Sequence, residues 1–164
     1  MQDEFDKIRD ALEQSATDQE RSEEIQLHRV TTGSVKRPIA WSKLRDRIQG
    51  VLNGDRAFFV HRPNVVSKMT VAPDKESFVL DRPAYPKART RVIFRPPMIQ
   101  IQNSYQKTDN SDSVEWEDWI ELQLDNLDRV LLEHRGEIIS DDDAASVILA
   151  PTRDPAFAPP KGIS

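Results

Sequence analysis

The chain has 164 residues, 37 % hydrophobic and 31 % charged, with a net charge of −5. That balance suits one polar domain with a core of its own and long solvated segments. The absence of cysteine excludes a disulfide framework and a thiolate zinc site, and no apolar run approaches the roughly 18 residues of a membrane span.

The net charge conceals three blocks. Residues 1–27 hold nine acids and three bases, residues 28–108 five acids and sixteen bases, and residues 109–164 fourteen acids and four bases. An acidic stretch, a basic middle and a second acidic stretch therefore follow one another, and this layout is the strongest compositional signal in the sequence. The first residues, Met1 to Asp6, are acidic and lack an apolar core, so no signal peptide is expected. The expected location is the cytoplasm or the interior of an assembled particle.

Phe5, Ile8 and Leu12 fall at helical spacing and predict an amphipathic helix over residues 3–15. Residues 16–24 carry no apolar stripe and read either as a solvated continuation of that helix or as an acidic linker. Residues 30–36, with Gly33, read as a loop or a short edge strand. Trp41, Leu44, Ile48, Val51 and Leu52 then form one apolar helical face, with Asn53-Gly54 as the expected stop. At this spacing Trp41 is a core residue rather than a ligand-stacking one.

Residues 56–106 hold a run of short β-like segments studded with arginine: Ala57-Phe58-Phe59-Val60, Lys68-Met69-Thr70-Val71, Ser77-Phe78-Val79-Leu80, Arg91-Val92-Ile93-Phe94 and Met98-Ile99-Gln100-Ile101. Residues 69–71 and 78–80 flank Pro73-Asp74, which suits a type I turn and predicts a hairpin. Residues 81–90 read as a Pro-punctuated basic loop. Pro96-Pro97 cannot donate ladder hydrogen bonds, so the strands on either side are expected to meet at a sheet corner rather than in a tight hairpin.

Beyond a turn at residues 107–113, two templates compete. Trp116, Trp119, Ile120, Leu124, Leu127, Val130 and Leu131 fit a long helix, opened by Asp112 and Glu115 as a capping box and closed near Gly136. Val114, Trp116, Ile120, Leu122 and Leu124 fit a strand followed by a shorter helix from Asp125. The helix accounts for more apolar positions and is the expectation. Ser140 and Asp141-Asp142-Asp143 read as the cap and first turn of a last helix, ended by Pro151, with residues 151–164 as an extended Pro-rich tail.

The chemistry-bearing residues form no catalytic or metal pattern. His28, His61 and His134 lie in different predicted elements without ligand spacing, although His61 has Arg62 and Asn64 beside it. The three consecutive aspartates lack the spaced geometry of a calcium loop, and helix capping accounts for them. No cofactor, metal or small-molecule ligand is indicated. Two surfaces remain as candidates for partner binding: a basic one of Arg82, Lys87, Arg89, Arg91 and Arg95, interleaved with Tyr85 and Phe94, and an acidic helix face of Glu117, Asp118, Glu121, Asp125 and Asp128.

The sequence thus predicts an α+β fold: a small, mostly antiparallel sheet over residues 57–104 with helices before and after it on one face. The expected organisation is an acidic helical arm (1–27), one domain (28–150) and a tail (151–164). The expected function is a non-enzymatic subunit of a large assembly, of the connector, tail, capsid-associated or secretion-machine kind, whose partners are copies of itself or other subunits docked by complementary charge. The alternatives are a nucleic-acid-binding accessory protein using residues 82–95, or an immunity- or inhibitor-like regulator using the acidic face.

Overall fold

The computed structural model describes residues 3–161, so the ends of the acidic leader and of the tail lie outside it. One helix, α1 (Glu4–Phe58), runs for 55 residues. A 3-10 turn (Pro63–Val65) leads into seven strands: β1 (Lys68–Val71), β2 (Ser77–Arg82), β3 (Lys87–Arg95), β4 (Met98–Gln106), β5 (Val114–Leu124), β6 (Val130–His134) and β7 (Glu137–Ile139). Helix α2 (Asp141–Arg153) follows. The strands pair in chain order as one antiparallel meander, and the class is α+β.

Both helices lie on the same side of the sheet. Trp41, Leu44, Ile48 and Leu52 of α1 and Ala144, Ala145, Ile148 and Leu149 of α2 share one core with Phe78, Leu80, Val92, Phe94, Ile99, Ile101, Ile120, Leu122 and Leu132. The Trp41 indole stacks on Phe78 (centroids 5.5 Å apart) and on Phe94 (5.4 Å). Its Nε1 donates to the Lys75 carbonyl at 2.8 Å, and Arg45 Nη1 donates to the same oxygen at 2.9 Å. Lys75 sits at φ 61 in the β1–β2 turn, where Lys75 N donates to Ala72 O at 2.9 Å. The predicted hairpin is therefore formed, and its turn is also the docking point of α1.

Helix α1 overrides two expected breaks. Residues 16–24 continue it as a solvated rod, the first of their two alternatives, and residues 30–36 are helical rather than a loop. Gly33 is buried beneath the Arg37 side chain, whose Nε donates to Leu122 O at 2.7 Å. A Cβ at Gly33 would collide with that guanidinium, so a residue that reads as a breaker instead makes room for a tether. At Asn53-Gly54 the helix also continues, and residues 57–60 close it and turn rather than form a strand. A glycine costs a helix only about 1 kcal/mol relative to alanine, and Leu52 is fully buried on one side of this pair while Asp55 is held by Arg153 at 2.9 Å on the other.

The sheet reaches well past residue 104. Residues 114–124 are strand, not helix, because Trp116, Ile120, Leu122 and Leu124 fall on alternate positions facing the helices and pair with β4 through Ile99↔Ile120. The capping-box residues Asp112 and Glu115 accordingly open no helix. Residues 125–129 form a turn, and Gly136 (φ 83) with Arg135 (φ 51) makes the two-residue β6–β7 connection. Pro96 and Pro97 also sit in a tight hairpin rather than a corner: Arg95 pairs with Met98, so the prolines occupy the two connecting positions where no ladder N–H is required. Their mutual peptide bond is cis.

Ser140 caps α2 by accepting from Asp143 N at 3.1 Å, as expected. Pro151 lies inside the helix, which continues to Arg153, and is buried there. The following residues are not a free arm: Phe157 stacks on Trp116 (5.7 Å) and meets Tyr105 edge-on (5.7 Å).

Two outcomes follow. Trp41→Ala removes both ring stacks and the bond to the β1–β2 turn, and should cost about 3–5 kcal/mol, a large part of a typical domain's stability, read as a fall in the denaturant midpoint. Phe157→Ala should cost roughly 1–2 kcal/mol and raise proteolysis within residues 154–161 while leaving the rest protected.

Candidate functional site

Strand alternation decides which predicted binding residues share a surface. Along β3, Ala88, Thr90, Val92 and Phe94 face the helices, so Lys87, Arg89, Arg91 and Arg95 face away from them. Pairing extends this outer face across the sheet in rows. Asp81, Arg89, Ser104 and Glu115 form one row; Val79, Arg91, Gln102 and Glu117 the next; Ser77, Ile93, Gln100 and Trp119 a third; Arg95, Met98, Glu121 and Glu133 a fourth. Among the described residues no helix covers this side. It carries a basic strand, a neutral glutamine-rich strand and an acidic strand in sequence, with Val79, Ile93, Met98 and Trp119 as apolar islands.

Four of the five predicted cations thus come together on β3. Arg89 is 3.7 Å from Asp81, and Lys87 lies over the Tyr85 ring at 4.7 Å. Among the described residues Arg91 and Arg95 make no ion pair. The fifth, Arg82, pairs with Ala88 and therefore faces the helices; its Nε is buried without an acceptor in the chain. At the centre of the outer face Gln100 is 8 % exposed, donates to Glu117 Oε1 at 3.2 Å, and leaves its own Oε1 without a donor.

The acidic residues do not form the expected helix face, because their segment is β5 and the turn after it. Glu117 and Glu121 lie on the outer face. Asp118 lies on the opposite side, 2.8 Å from His134 Nε2 and 3.4 Å from Arg135. Asp125 and Asp128 lie in the β5–β6 turn. There Asp125 accepts from Leu127 N (2.9 Å), Arg129 N (2.8 Å) and Arg129 Nε (2.8 Å). Asp128, at φ 57, is 3.0 Å from His28 and offers its carbonyl to Lys36. Arg29 Nη2 donates to Leu124 O at 2.9 Å. This turn is where α1 leaves the body of the protein.

Before that point α1 stands clear: between residues 4 and 27 every residue except the half-buried Thr17 is exposed. Phe5, Ile8 and Leu12 are 76 %, 56 % and 67 % exposed. The sequence showed this stripe as the face of a helix but not that the fold leaves it uncovered. Trp119 and Ile93 also escaped notice as surface residues, although the alternation of arginine with apolar residues in β3 carried the signal.

A cleft of about 940 Å³ opens between the end of α1, the 3-10 turn and α2. Of its charged groups Arg47 pairs with Asp142 at 2.7 Å and Arg153 with Asp55 at 2.9 Å, the Asp55 hydrogen bond raising the Arg153 pKa further, while Arg82, whose Nε has no acceptor, also lines it. Among the described residues no three His, Asp or Glu side chains form a group able to hold a metal ion.

The Arg129 N–H, ahead of its guanidinium and the Leu127 N–H, holds the Asp125 carboxyl below its ordinary value of 3.8. A lowered folded pKa means this carboxylate stabilises the turn above that ordinary value and that the contribution is lost as pH falls through the lowered one. The protection of the Leu127 and Arg129 amides, measured against the intrinsic exchange rate at the same pH, should therefore fall on acidification, and be low at every pH in Asp125→Ala. Comparison with known protein families, with curated proteins and with solved structures finds no match to this chain.

Proposed function

We propose that the protein is a non-enzymatic assembly subunit that docks on copies of itself or on neighbouring subunits through charge-sorted surfaces. The observation that carries this reading is the outer face of the sheet. A sheet ordinarily buries both faces or solvates one with scattered polar residues. Here the uncovered face keeps like charges together by strand, carries apolar side chains between them, and leaves Gln100 Oε1 without a donor. Complementary charge set out in this way fixes register and partner choice.

Nucleic-acid binding by β3 is the second reading, favoured by the Lys87–Tyr85 pair beside three arginines, with Tyr85 45 % exposed. Against it, the groove that holds Arg89 and Arg91 is walled on its other side by Glu115 and Glu117. Those carboxylates would repel a phosphate backbone but suit a partner bearing both signs.

Light scattering of the purified chain at low and high salt tests the reading. A mass well above 18.8 kDa that falls as salt rises is the expected result. A monomer at both salts would overturn self-association; steeply salt-dependent retention of oligonucleotides by such a monomer would favour the second reading.

A further inference from the structure

Two parts of the molecule lack a covering layer, and they complement each other. The first is the arm of α1, residues 4–27, about 36 Å long at about 1.5 Å per residue. A helix in water gains most of its stability from packing an apolar face, and this one has such a face in Phe5, Ile8 and Leu12, all exposed. The step from Phe5 to Trp41 is about ten whole turns at about 3.6 residues per turn. The stripe therefore continues the side of α1 that packs on a sheet, carried beyond the edge of its own sheet. It cannot fold back onto the outer face of its own chain, because the helix is continuous from Glu4 to Phe58 and packs on the inner side of the sheet.

The second part is the β2–β4 half of the outer sheet face. Its longest strands run nine residues, or about 30 Å at about 3.3 Å per residue, close to the length of the arm. It presents Val79 beside Arg91, Ile93 between Arg91 and Arg95, and Met98 beside Arg95, two cations without an ion pair among the described residues. Charge selects the pairing. Residues 4–27 hold eight acids against three bases, and Asp6, Glu13, Glu20 and Glu24 recur on one flank of the stripe at helical spacing. Two such arms would repel each other, whereas an arm against β3 brings carboxylates to guanidinium groups.

We infer that the arm of one copy lies across the β2–β4 outer face of the next copy, with Phe5, Ile8 and Leu12 over Val79, Ile93 and Met98 and the acidic flank on Arg91 and Arg95. The inference rests on the self-association proposed above. The contact is heterologous, so repetition gives a ring or a filament rather than a closed two-fold dimer. It turns each bare sheet into a layer covered by helix on both sides.

The chain has no cysteine, so single thiols report the contact directly. Ala11→Cys marks the arm beside the stripe and Gln102→Cys marks the outer face beside Arg91. The two variants are mixed at high salt, dialysed to low salt and treated with a flexible bis-maleimide, with mass followed by light scattering. The expected result is an oligomer whose cross-links join the two different variants. Those cross-links should fall to background when the face carries Arg91→Glu and Arg95→Glu, or when the arm carries Ile8→Asp. An oligomer cross-linked only between like variants would indicate paired arms or stacked sheets. Like one that shows no cross-link, it would overturn this inference and leave self-association standing. A monomer under all conditions would overturn both.

Discussion

The Trp41 indole between the rings of Phe78 and Phe94 is the contact on which the layering of the protein depends. It joins the longest helix to the second and third strands, and its N–H reaches the turn that connects the first two. A buried indole must satisfy its donor, and the carbonyl of Lys75 is available because the turn places that residue at positive φ. Arg45, one turn along the helix, shares the same oxygen. Helix position, turn conformation and strand pairing are thus coupled at one point, and the apolar face from Leu44 to Leu52 follows from it.

A second anchor lies at the other end of the sheet and differs in kind. Where Trp41 is packed, the segment around residues 28–37 is tethered by side chains that reach backbone carbonyls: Arg29 to Leu124, Arg37 to Leu122 and Lys36 to Asp128. Long basic side chains can span a gap that apolar contacts cannot. They hold the helix against the β5–β6 turn while leaving it exposed. That arrangement lets α1 pass the edge of the sheet without a core beneath it, and it sets the direction in which the acidic arm projects.

The fold places every helix on one side, and this single fact generates the functional reading. Among the described residues no helix lies on the other side of the seven-stranded meander. Charges that a sequence scan counts as a basic middle and an acidic end become neighbours two strands apart, roughly 10 Å across the sheet. Arginines on β3 and glutamates on β5 are then two halves of one surface. The acidic arm, with its own stripe uncovered, supplies a third element of matching length and opposite sign to β3.

Much of this was legible in the residues. The helix through Trp41, the hairpin around Pro73-Asp74, the Ser140 cap, the α+β class and the sorting of charge into blocks all rest on local signals, which period, turn chemistry and composition carry without help. What was not legible depended on partners distant in sequence. Gly33 and Gly54 read as breaks because their small cost is visible locally, while the Arg37 tether and the burial of Leu52 that outweigh it are not. Residues 114–124 fit two periods, and only the register Ile99↔Ile120 against β4 chose the strand. By itself, then, the sequence determined those elements whose signals are local and the amount of charge of each sign. The tertiary structure decided which face each charge occupies and which apolar stripe stays bare, because facing is a property of pairing and pairing is made between segments far apart along the chain.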